Sequence, residues 1–212
     1  MNSEAESLSC EAAPYAGLTP DCVLAALDSV GLHGDGRLLA LNSYENRVYQ
    51  IGLAAPPIAG LETFSADVAV AKFYRPHRWS DAAIAEEHAF VGELAEREIP
   101  VIAPLSLAGV PAIDAAEENF GTTTPCGTLH TFAGFRFAVY PKCAGRSPEL
   151  DDRNTLQWMG RFIGRIHAVG ALHSFTARPR LDIETFGDAP RLWLLAHDFV
   201  PADLLPAWRS VS

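Results

Sequence analysis

The chain has 212 residues, of which 49% are hydrophobic and 20% charged. That balance excludes intrinsic disorder for its bulk, and the length predicts one domain or a domain with an appendage. A net charge of −10 speaks against nucleic acid or an anionic membrane as partner, because both need clustered cations.

Residues 1–17 are small, polar and acidic and predict a flexible tail. Their first fifteen carry Glu4, Glu6 and Glu11 and no cation, unlike a signal peptide. Thr19-Pro20 predicts an N-cap followed by proline in the first helical turn. Val23, Leu24, Leu27 and Val30 then follow at helical spacing, and Gly31 is the stop. His33-Gly34-Asp35 reads as a turn. Residues 38–41 and 47–53 predict a hairpin about the turn Ser43-Tyr44-Glu45-Asn46. Residues 54–66, with Pro56, Pro57 and Gly60, predict a loop, and 67–74 (DVAVAKFY) a third strand. Ser80-Asp81 caps a helix reaching Glu98, ended by Ile99-Pro100. Residues 101–107 predict a strand, 108–128 a long loop, and 135–140 a strand closed by Pro141. Asp151 or Asp152 caps a helix through Ala168, with Leu156, Met159, Ile163 and Ile166 on one face. From there to Ser212, short helical pieces are broken by Pro179, Pro190, Pro201 and Pro206.

The outline is α+β: a mostly antiparallel sheet with one intercalated helix, then a helical region. No repeat is visible, and no apolar run reaches the roughly 18 residues of a membrane span. Cys10, Cys22, Cys126 and Cys143 are far apart and make no zinc spacing, so reduced thiols and a cytoplasmic setting are expected. Charge is unevenly spread. Residues 80–126 are strongly acidic and residues 131–180 basic, which fits either two solvated faces or a cleft with one basic wall.

Of 16 cationic residues, only Lys72 and Lys142 are lysines. Lys72 lies in the strand VAVAKFY and shares a face with Val68 and Val70, while Ala69, Ala71 and Phe73 line the other. It is either an edge-strand lysine whose head reaches water or a lysine with a carboxylate partner and an anion to bind. The next helix offers the partner. With Ile84 at zero, Val91 falls near about 340°, Leu94 near about 280° and Glu87 near about 300°, inside the apolar stripe. A glutamate there needs a cation. A strand lysine held by a helix glutamate is the kinase arrangement for gripping the α- and β-phosphates of ATP.

Four stretches carry a more specific signal: LNSYENRVYQ (41–50), VAKFYRPHRWSDAAIAEEHAF (70–90), GFRFAVYPK (134–142) and GRFIGRIHAVG (160–170). Together they resemble the bacterial stress response kinase A family, serine/threonine protein kinases of aminoglycoside-phosphotransferase-like fold. The resemblance runs from about residue 18 to the C-terminus, with loops 54–66 and 108–128 longer here. It implies a protein-kinase-like small lobe over 18–140, and a hinge with the start of a helical large lobe over 141–212. Lys72 would bind the ATP phosphates and Glu87 orient it. Ser43, Tyr44, Glu45 and Asn46 would form the turn over the phosphates, with the Ser43 hydroxyl as a donor. The hinge would run from Tyr140 to Cys143, the Pro141 carbonyl and Cys143 N–H reading adenine.

The same resemblance implies a catalytic Asp and Asn on an HGDxHxGN loop and a later metal-binding Asp. No such loop occurs in the chain: His33-Gly34-Asp35 lacks the residues that should follow, and Asp198-Phe199-Val200 has no catalytic loop before it. Mg2+ would accordingly find its ligands beyond residue 212. The expectation is an ATP-dependent serine/threonine protein kinase of the stress response, monomeric, acting on a protein hydroxyl, and inactive as this fragment alone. A small-molecule phosphotransferase fragment and a non-catalytic nucleotide-binding or interaction module are the alternatives. His167, Trp158, Trp193 and Trp208 read as packed side chains, and Arg161 and Arg165 as a solvated face.

Overall fold

A computed structural model of the chain describes residues 14–54, 67–107 and 127–211. The greater part of the expected tail, and nearly all of the loops expected over 54–66 and 108–128, lie outside those residues. The chain divides into two compact units, Met1–His173 and Ser174–Ser212.

The first unit opens with helix α1 (Pro20–Asp28), where the Thr19 side chain accepts from the Cys22 N–H and Pro20 stands in the first turn. Strands β1 (Gly34–Leu41), β2 (Arg47–Leu53) and β3 (Val68–Phe73) follow as an antiparallel meander. Helix α2 (Asp81–Glu96) comes next, then strands β4 (His130–Phe132) and β5 (Phe135–Pro141), and helix α3 (Arg153–Gly170). The sheet order is β1-β2-β3-β5-β4, so β3 is the central strand. Lys72 pairs Val48 on one side and Ala138 on the other, which excludes the edge-strand reading.

Alternation sorts β3 onto two cores. Ala69, Ala71 and Phe73 are buried with Val23, Ala26 and Leu27 of α1. On the opposite face Tyr74, Ala138, Leu129 and Ile84 of α2 form a second cluster. A third joins Leu94 and Ile99 to Val169, with Phe162 and Ile166 packed against it, and so places α3 on α2. The expected boundary at residue 140 therefore falls inside the first compact unit.

Several local expectations meet competing geometry. Gly34 and Asp35 belong to β1 rather than a turn: Gly34 pairs Leu53, the register shifts before Leu38, and Gly36 at φ +93° takes the irregularity. Residues 101–107 form no ladder strand. Leu105 N–H donates to the Val139 carbonyl and Leu107 N–H to that of Gly127, while prolines at 100 and 104 offer no donor. The β4–β5 hairpin is an addition. Its two linking residues, Ala133 (φ 47°) and Gly134 (φ 79°), both lie in the left-handed region such a turn needs. On α3, Phe162, Ile166 and Val169 meet α2, whereas Leu156 and Ile163 of the expected face are exposed. His167 and Trp158 are exposed as well.

The second unit contains a π-helical turn (Glu184–Asp188), α4 (Ala189–Ala196) and α5 (Leu205–Val211). Pro190 sits in the first turn of α4, and Pro206 near the start of α5, so both begin helices rather than break them. No described residue of this unit is buried, and Trp193, stacked on His197 at 4.2 Å, is exposed. Trp208 is half-buried.

Candidate functional site: a cleft against the central strand

A cleft of about 420 Å³ opens on the α2 side of the sheet. Leu41 and Val48 line it from the ends of β1 and β2, and Val70 and Lys72 from β3. Glu87, His88 and Val91 come from α2, Ile102 and Pro104 from the segment after it, and Tyr140 to Cys143 from the end of β5.

The Lys72 Nζ donates to Glu87 Oε1 at 3.0 Å, with side chains 23% and 30% exposed. Two local devices aim the glutamate. The Ser80 side chain accepts from the Ala83 N–H and fixes the start of α2. Arg136 of β5 donates to Asp81 at 2.7 Å and ties that same turn to the sheet. Glu87 then lies over β3 two turns along.

Behind the pair runs a polar chain. The Tyr74 hydroxyl is 2.7 Å from His88 Nε2 and 3.3 Å from the Tyr140 hydroxyl, and His88 Nδ1 is 2.9 Å from the Thr128 hydroxyl. Burial pushes the Tyr140 hydroxyl up to about 12, and the Glu87 carboxylate acts in the same direction. Tyr140 is therefore neutral at any physiological pH.

The structure gathers Lys72, Glu87, Tyr140, Pro141 and Cys143 around one cleft, with Lys142 beside them. The turn residues do not line it. The Ser43 hydroxyl donates to the Asn46 carbonyl inside the turn, and Asn46 Oδ1 accepts from the Arg75 N–H. Tyr44 is fully exposed. Glu45 receives Arg78 and the Trp79 indole N–H. Burial alone would raise its carboxyl, but those donors outweigh it and hold Glu45 below its ordinary value. Sequence reasoning passed over Tyr74 and His88. Tyr74 shares the Val70–Lys72 face, two residues on, so strand alternation contained that signal. His88 carried no signal beyond standing next to Glu87.

An antiparallel five-stranded sheet whose central lysine meets a glutamate of the following helix, with helical structure beyond, defines a kinase-like phosphotransferase fold. The chain belongs to the phosphotransferase enzyme family (APH), whose model matches residues 37–211. It is 34% identical over 195 residues to stress response kinase A of Salmonella choleraesuis (strain SC-B67), covering 92% of this chain and 50% of that protein. Identity is also 34%, over the same shares, to the serine/threonine protein kinase RdoA of Salmonella typhimurium. To stress response kinase A of Escherichia coli (strain K12) it is 33%, over 92% of this chain and 51% of that one. The chain thus spans about half the length of the curated relatives it matches. The amicoumacin kinase hAmiN, solved in complex with AMP-PNP, Ca2+ and Ami, shares the fold at a TM-score of 0.51 and 18% identity. That match covers 91% of this chain and 54% of that one. The likeness read from the four motifs is borne out at the level of the family.

Among the described residues, no group of three or more His, Cys, Asp or Glu could hold a metal ion. Among them also, no helix is long and apolar enough to cross a membrane.

Proposed function

We propose that this cleft binds ATP and that the protein is an ATP-dependent serine/threonine protein kinase of the stress response. The observation that carries the reading is the Lys72–Glu87 pair, 3.0 Å apart between the central strand and α2 and lining an open cleft. A lysine ammonium is a compact charge suited to phosphate oxygens, and the carboxylate keeps it extended toward them. Val70, Leu41 and Val48 supply apolar surface for a purine, and the backbone at Pro141 and Cys143 its hydrogen-bonding edge. The protein-substrate branch is favoured over a small-molecule one by the 33–34% identity to the stress response kinases, against 18% to the amicoumacin kinase.

The test is a thermal-shift and calorimetric titration of the purified 212-residue chain with ATP. The expected outcome is saturable stabilisation, at 100 times Kd worth about 2.7 kcal/mol, that is lost in Lys72→Ala. No stabilisation at millimolar ATP would defeat the reading and favour an interaction module.

A further inference from the structure

The geometry points to Tyr74 as the positioning residue for Lys72, a role that rests on the ATP-site reading above. The lysine is held on two sides. Glu87 takes it from α2, and the Tyr74 ring lies under it, with Nζ 4.6 Å from the ring centroid. That separation is within the range of a cation–π contact, and burial strengthens such contacts. Strand alternation produces the geometry: residues 72 and 74 point to the same side of β3 and its continuation.

Tyr74 is itself fixed, since it is only 2% exposed. Its hydroxyl reaches His88, the residue after Glu87 on the same helix, and Tyr140, on the strand that leads to the proposed adenine edge. The ring therefore touches all three walls of the cleft: β3 through Lys72, α2 through His88, and β5 through Tyr140. A carboxylate alone would let the flexible lysine stem pivot about one anchor. The aromatic face removes that freedom and leaves the ammonium's remaining donors for the phosphates. An ordinary packed tyrosine would serve adenosine and ATP binding alike, whereas a lysine-positioning one acts only where there are phosphates to meet.

The experiment compares ATP and adenosine affinities by calorimetry in the 212-residue chain, its Tyr74→Leu and Tyr74→Phe variants, and the Lys72→Ala background. In Tyr74→Leu, ATP affinity should fall about fivefold, the weight of one such contact, with adenosine affinity unchanged. Tyr74→Phe keeps the ring and should stay within about twofold of the unaltered chain for ATP. In Lys72→Ala, Tyr74→Leu should have no further effect. Should the leucine variant fail to fold, progressively fluorinated phenylalanines at position 74 weaken the ring's negative face without changing its shape. ATP affinity should then decline with each fluorine while adenosine affinity holds. Equal losses for ATP and adenosine, a leucine effect that persists without Lys72, or indifference to fluorination would overturn the role of Tyr74 alone. Failure of the unaltered chain to bind ATP would sink the nucleotide-site reading and this one with it.

Discussion

His130 offers the sharpest test of how this fold is held. It opens β4, is 1% exposed, and its ring lies 5.4 Å from that of Phe137. Among the described residues, neither ring nitrogen has a hydrogen-bond partner. Burial holds its pKa below the ordinary value, and the Gly127 backbone opposes this only in part, without reaching hydrogen-bonding geometry. A buried polar group left unsatisfied costs about 1–3 kcal/mol. His130→Leu removes that cost at similar volume, so it should stabilise the chain by about 1–2 kcal/mol at pH 7.5, or some 2–8 °C in Tm. The sign of the pH dependence follows from the lowered native pKa. The unfolded histidine takes up a proton below about pH 6.5 and the buried one only at lower pH, so stability present above that pH is lost as pH falls. At pH 5.5 the unfolded side chain is roughly ten-to-one protonated, which costs the native state up to about 1.4 kcal/mol. The advantage of the leucine variant should therefore widen at pH 5.5, by at most about 1.4 kcal/mol. Urea unfolding at the two pH values reads both effects, and His130→Gln, polar but not titrating, should lose the pH-dependent part without the gain. A stability gap that stays constant between the two pH values, or a leucine variant less stable at both, would refute the reasoning.

Two further outcomes follow from the same structure. A double-mutant cycle of Lys72→Met and Glu87→Gln, read by urea unfolding without ligand, should give a coupling of about 1 kcal/mol. The gross attraction at 3.0 Å is several times larger, about 5 kcal/mol at an effective dielectric of 20, but partial exposure and desolvation cancel most of it. Ala133→Asn should stabilise by about 0.5–1 kcal/mol, because a β-hairpin turn with positive φ at both central residues favours Asn-Gly. Calorimetric melting checks it, and a lower Tm would show that Ala133 is unstrained at φ 47°.

What the sequence disclosed was local. Caps announced themselves because a short polar side chain beside the first turn satisfies orphan N–H groups, as Thr19, Ser80 and Asp152 all do here. Lys72 and Glu87 stood out because each broke an apolar pattern at a position where an unpaired charge is costly. What stayed hidden depended on contacts between distant segments. The β4–β5 hairpin went unseen because Ala133 is not a residue that advertises positive φ. The covered face of α3 was misjudged because two adjacent apolar stripes share that helix, and only the meeting with Phe90 and Leu94 of α2 selects between them. Tyr74 and His88 became site residues only once α2 was laid across β3.

The scarcity of lysine now has a structural counterpart. Four arginines of the first unit pair with carboxylates: Arg37 with Asp35 and Asp67, Arg78 with Glu45, Arg97 with Glu93, and Arg136 with Asp81. Arg78–Glu45 joins the β1–β2 turn to the segment after β3 and Arg136–Asp81 ties α2 to the sheet, while Arg97–Glu93 stays within the end of α2. Both lysines instead line the cleft, against the single carboxylate of Glu87. The basic stretch 131–180 contributes only Lys142 there, so the cleft's positive character comes from two residues on different strand ends rather than from a basic wall. The compact, flexible ammonium of Lys72, rather than a planar guanidinium, is the cation that faces the open cleft, and such a point charge suits a phosphate-bearing ligand.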